Sequence, residues 1–156
     1  MSDGVSLLEL LCAVVVVGVL ATATYTGVTS YDRSRRAARV ASLLQWEVTV
    51  ARGYAIRSGR QMSLVVDEQA RSVALRDGAV TWRKLSLGEG TAMRVDRLTL
   101  ELPGDSLVFS PRGLCINCSA SRFTDLSVGA GGRVATIQIG RLGHPELHSA
   151  DASPSD

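Results

Sequence analysis

Residues 5–23 form an almost unbroken apolar run with a single carboxylate, Glu9, near its start. As a helix this run spans roughly 28 Å at about 1.5 Å per residue, close to a hydrocarbon core of about 30 Å. A carboxylate inside such a run costs about 2.5–3.5 kcal/mol on insertion scales, so it marks a functional residue by default. No proline precedes Pro103, and nothing forces the helix to stop at the end of the apolar run. From residue 34 onward the pattern turns amphipathic. Ala37, Ala41, Leu44, Val48, Ala51 and Ala55 recur at spacings of three and four, the stripe of a helix packed on one side. Ser58-Gly59 reads as the C-terminal stop.

After Gly59 the period changes to two. Met62, Leu64 and Val66 alternate with Gln61, Ser63 and Asp67, as a half-buried strand does. Val73 and Leu75 follow, then Asp77-Gly78, a hairpin signal, with Val80, Trp82 and Lys84 on the return strand. Leu98, Leu100 and Leu102 alternate up to Pro103-Gly104, and residues 107–109, 123–128 and 133–139 supply three further short runs. Residues 129–132, Gly-Ala-Gly-Gly, read as a loop. Residues 148–156 are polar, without apolar pattern, and are expected to be disordered. The fold class is therefore α+β: a long N-terminal transmembrane and amphipathic helix packed on an antiparallel β domain. The expected segments are residues 1–4, a short leader; 5–28, the membrane-spanning part; 29–147, the exposed domain; and 148–156, a tail.

The beginning of the chain, Gly4-Val5-Ser6-Leu7-Leu8-Glu9, resembles the N-terminus of type IV prepilins and pseudopilins. Further pieces extend the resemblance across residues 4–143 to the H-type minor pseudopilins, which include general secretion pathway protein H and the FimT-like minor pilins. They are Ala51-Arg52, Ala55-Ile56, Ser58-Gly59, Phe109-Ser110-Pro111-Arg112-Gly113 and Ile139-Gly140-Arg141. The resemblance implies a pilin-type fold. It also implies prepilin-peptidase cleavage between Gly4 and Val5, methylation of Val5, and a filament-assembly role for Glu9, which would face the terminal amine of a neighbouring subunit. Val5 stands where the family usually has an aromatic residue, and the four-residue leader has no Lys or Arg; the expectation is a start codon further upstream.

On this reading the chain is a minor pseudopilin of the type II secretion pseudopilus, taking part in protein secretion. Its partners are other pilins or pseudopilins, the prepilin peptidase and the bacterial inner membrane, with the C-terminal domain outside the cytoplasm. The alternative is a FimT-like minor pilin of a type IV pilus, binding DNA for uptake. Two readings of the residues pull elsewhere. Arg33, Arg35, Arg36 and Arg39 flank the run on its far side and no basic residue flanks its near side. The positive-inside rule alone would keep that far flank cytoplasmic. Ala21-Thr22-Ala23 has the form of a signal-peptidase site and would release a soluble binding domain.

Other candidates lie in the β-rich part. Cys115-Ile116-Asn117-Cys118 is a lone C-x-x-C. In an oxidising compartment it reads as a disulfide clip, with free thiols or half of a metal or redox site as the other readings. His144 and His148 are the only histidines, loosely spaced for a zinc site. Cys12 reads as an inert apolar residue. Arg141 keeps one arginine of the Gly-Arg-x-Arg element through which some FimT-like pilins bind DNA, and Arg122 and Arg133 are its candidate companions. Beyond residue 28 there are 17 basic residues against 13 acidic ones, a mild excess of four, and aromatics make up only 4% of the chain. Both argue against a dedicated nucleic-acid platform. No G-x-S-x-G, H-E-x-x-H or Walker motif occurs, so the expectation is a non-enzyme with no cofactor, no metal and no small-molecule substrate.

Overall fold

The computed structural model describes residues 7–120 and 122–152, and their side chains apart from residues 8, 9, 21–34 and 149–152. Gly4 and Val5 lie outside the described residues. The chain divides into two units, residues 1–33 and 34–156.

The described part of the first unit, from Leu7 onward, belongs to α1, Leu7–Ser58. Its described large apolar side chains between residues 10 and 20 are all exposed, for example Leu10, Val14 and Val17 at 61%, 64% and 64%. A helix apolar on every side has no face suited to water. This fully described stretch is about 16 Å long, half a hydrocarbon core. Among the described residues no helical stretch is long and apolar enough to cross a membrane. The expected span over residues 5–28 includes residues and side chains that lie outside the description.

The second unit contains the end of α1 and eight strands: β1 (Met62–Asp67), β2 (Ser72–Asp77), β3 (Val80–Ser86), β4 (Arg97–Leu100), β5 (Ser106–Phe109), β6 (Thr124–Ala130), β7 (Arg133–Ile139) and β8 (Pro145–Ala152). They form two four-stranded antiparallel sheets, ordered β3-β2-β1-β5 and β4-β6-β7-β8. The helical stripe expected from the sequence is the helix's contribution to the core: Ala37, Ala41, Leu44, Val48, Ala51 and Ala55 are all fully buried. Four of the six are alanines, so the helix backbone can approach the sheets closely. Leu64, Val66, Val73, Leu75, Leu107 and Phe109 of one sheet meet it in a single cluster with Leu98, Leu126, Val128, Ile137 and Ile139 of the other.

Local chemistry sets the boundaries. Gly59 follows the helix at φ 63°, the left-handed position that glycine occupies at helix ends. Gly78, at φ 58°, is the first residue of a two-residue turn between the paired Asp77 and Val80, where a type II′ turn places glycine. In β3 a register shift opposite Leu75/Arg76 leaves Trp82 as an extra residue. Such a bulge re-aims side chains. Trp82 and its neighbour Arg83 both reach α1, Trp82 against the Tyr54 ring at 5.8 Å and Arg83 Nη2 at 3.0 Å from Glu47 Oε1. The edge strand is thereby clasped to the helix at two positions seven residues, or two turns, apart.

Two expectations need correction. Residues 129–132 are not all loop. Gly129 and Ala130 belong to β6, and only Gly131-Gly132 turn. A Cβ on Gly129 would come within 3.3 Å of the Arg97 Cβ on β4, so glycine there serves a close strand approach and not a turn. The supposed tail is also structured as far as Ala152. Residues 145–152 form β8 on the outer edge of β7. An edge strand can be held by backbone pairing alone, and its water-facing side chains need no apolar pattern. Residues 153–156 lie outside the description.

Candidate functional site

The first candidate constellation is Gly4, Val5 and Glu9. Glu9 lies in the first turn of the described α1, while Gly4 and Val5 are outside the description.

The second is built where one end of each sheet meets α1. Residues 122–123 enter β6, and residues 140–144 connect β7 to β8. The pairings Thr124↔Ile139 and Ile139↔Pro145 bring these segments side by side. The loop following β5 lies against them. Cys115 bridges to Phe109, its N–H donates to the Arg141 carbonyl at 2.9 Å, and Ile116 N–H donates to the Val108 carbonyl at 2.8 Å. Asn117 completes the attachment: its Oδ1 accepts from Val108 N–H at 2.9 Å and its Nδ2 donates to the Ser106 carbonyl at 2.6 Å. From the helix, Arg52 Nε donates to the Gly113 carbonyl at 3.1 Å. Cys115 and Cys118 are joined as a disulfide, with Cα atoms 5.4 Å apart. The paired thiols are not available as metal ligands. Cys12 is exposed.

Gly143 fixes the turn. It sits at φ 70°, and its N–H donates to the Gly140 carbonyl at 2.9 Å. A Cβ there would lie 2.7 Å from the Gly113 carbonyl oxygen. Arg141 and Leu142 are therefore presented on a short turn locked from beneath. Beside it opens a groove of about 470 Å³ whose lining includes Ala120, Arg122, Phe123, Arg141 and Leu142. Phe123 and Leu142 are 57% and 66% exposed, high for such large apolar side chains.

Of the three candidate DNA contacts, the structure brings two together. Arg122 and Arg141 share the groove. Arg133 opens β7 at the opposite end of the sheet, paired with Ala130 and Ala152, six strand residues or about 20 Å away. The expected grouping of Arg133 with the other two is thus corrected. His144 borders the groove, whereas His148 sits on β8 opposite Thr136. Phe123 and Leu142 were not singled out from the sequence. The signal was a repeated pair, an arginine followed by a large apolar residue, at 122–123 and 141–142. It acquires meaning only when the two segments are known to be neighbours.

Solved structures share this architecture. The type IV minor pilin FimU of Pseudomonas aeruginosa superposes with a TM-score of 0.61 at 16% identity, over 80% of this chain and 99% of that one. The minor pseudopilin EpsH of the Vibrio cholerae Type 2 Secretion System superposes with a TM-score of 0.56 at 18% identity, over 73% and 97%. This chain has the minor-pilin fold. Neither a family model nor a curated protein matches the sequence. The α+β arrangement with antiparallel sheets is what this chain shares with these structures.

Proposed function

We propose that the chain is a minor pseudopilin, a structural subunit of a type II secretion pseudopilus that acts by assembly rather than by chemistry. The observation that carries this reading is the minor-pilin fold standing behind an apolar N-terminal helix with Glu9 near its start. In this account the peptidase cuts after Gly4 and Val5 becomes the methylated terminus. The apolar part of α1 anchors the subunit in the inner membrane until it enters the filament, with the β domain outside the cytoplasm. A type IV pilus is the second reading. It is supported by the superposition on FimU, as the first reading is by that on EpsH.

Replacing Glu9 with Ala tests the assembly role. Removing a carboxylate from an apolar helix is favourable in a membrane, so Glu9→Ala should accumulate in membranes as the native chain does. It should fail to enter filaments with its partner pilins, because the charge pairing that sets subunit register is gone. Normal co-assembly of the variant would remove the proposed role.

A further inference from the structure

We propose that the groove between the segment entering β6 and the β7–β8 turn is a binding site for an extended acidic peptide segment of a partner protein. Arg122 and Arg141 line it, and neither forms an ion pair among the described residues. A guanidinium presents a rigid fork of donors that matches a carboxylate bidentately. Among the groove's lining residues the only carboxylate is Glu146, so the described lining carries an excess of positive charge. Between and beside the arginines lie the exposed Phe123 and Leu142. The Phe123 ring lies against Gly140, where a Cβ would meet it at 3.4 Å. The groove thus combines exposed apolar side chains with two guanidinium groups. That suits a peptide which alternates carboxylates with an apolar anchor, and a volume of about 470 Å³ is in the range of sites for short ligands.

The site is also held in shape. The Arg141 carbonyl is pinned by Cys115 N–H, the loop behind it is closed by the Cys115–Cys118 bridge, and Gly143 leaves no room beneath the turn. A preformed site loses less freedom on binding. A nucleic acid fits less well. Its affinity comes from phosphate contacts along a strand, and here there are two arginines beside large apolar side chains, with Arg133 about 20 Å distant.

The test uses the full chain in non-ionic detergent micelles and a fluorescein-labelled hexapeptide, Asp-Glu-Phe-Leu-Glu-Asp, followed by fluorescence polarisation. Saturable binding is expected. Arg122→Gln and Arg141→Gln should each weaken it about two- to fivefold, the range of an exposed charge pair. Phe123→Ser should weaken it as well, whereas Arg133→Gln should leave it unchanged. The amide analogue, Asn-Gln-Phe-Leu-Gln-Asn, should bind about tenfold more weakly. Absence of saturable binding, or binding indifferent to both arginine variants, overturns the proposal. So does displacement of the peptide by a lower concentration of a 24-nucleotide single strand, which would assign the groove to nucleic acid. Binding is scored on the isolated chain, so its failure leaves the assembly role of Glu9 standing, and the reverse holds too.

Discussion

Gly143→Ala is the most informative single substitution in the β domain. Two separate costs are legible at this position. The backbone sits at φ 70°, and an L side chain in that region costs about 1–2 kcal/mol. The new Cβ would also stand 2.7 Å from the Gly113 oxygen, 3.1 Å from Phe109 Cε1 and 3.2 Å from Arg52 Cδ. The nearest of these is backbone, and that oxygen already accepts a hydrogen bond from Arg52, so it cannot simply swing away. Forcing a methyl into packed surroundings costs about 1–3 kcal/mol more. The sum is about 2–5 kcal/mol. Gly132→Ala is the matched control, with φ 78° and nothing within 4 Å of its Cβ. It should cost only the conformational part, about 1–2 kcal/mol. Urea unfolding of the full chain in detergent, read by the fluorescence of Trp46 and Trp82, measures both. At a typical slope of about 1–3 kcal/mol per molar urea, the two midpoints should differ by roughly 1 M. Equal midpoints would refute the claim that the 140–143 turn is locked against the disulfide loop.

Arg83→Ala should destabilise by about 3 kcal/mol although Arg83 is half exposed, because it strips the partner from the buried Glu47 carboxylate. Glu47→Leu on that background should restore most of the loss, and the same urea titration checks both. Cys115→Ser with Cys118→Ser should cost no more than about 2 kcal/mol, since so short a loop removes little chain entropy. A fall much beyond that in the thermal midpoint would mean that the bridge supports more of the domain than its own loop.

What the sequence made legible follows from how local each signal is. The buried stripe from Ala37 to Ala55 is a property of one helix, and the Asp77-Gly78 turn of two adjacent residues; both could be read directly. β8 could not, because an edge strand is held by backbone pairing with β7 and its side chains carry no record of that. Gly129 looked like a loop residue because the reason for its missing side chain, Arg97 on β4, lies 32 positions away in the chain. The bulge at Trp82 was hidden for a similar cause: the alternation of Val80, Trp82 and Lys84 looks regular until the register with β2 is known. Arg122 and Arg141 were visible as charges, but their meeting in one groove, and the separation of Arg133 from it, depend on strand order.

In the proposed function, a pilin-type fold reaches its filament through an N-terminus processed at Gly4. Mass spectrometry of the chain recovered from bacterial membranes reads that processing at the mature terminus itself. The expected mature N-terminus is Val5, carrying one added methyl group, whatever length of leader precedes Gly4. A mature chain beginning at Thr24 would contradict it, since cleavage after Ala23 would release the β domain from its apolar helix and leave no subunit to assemble.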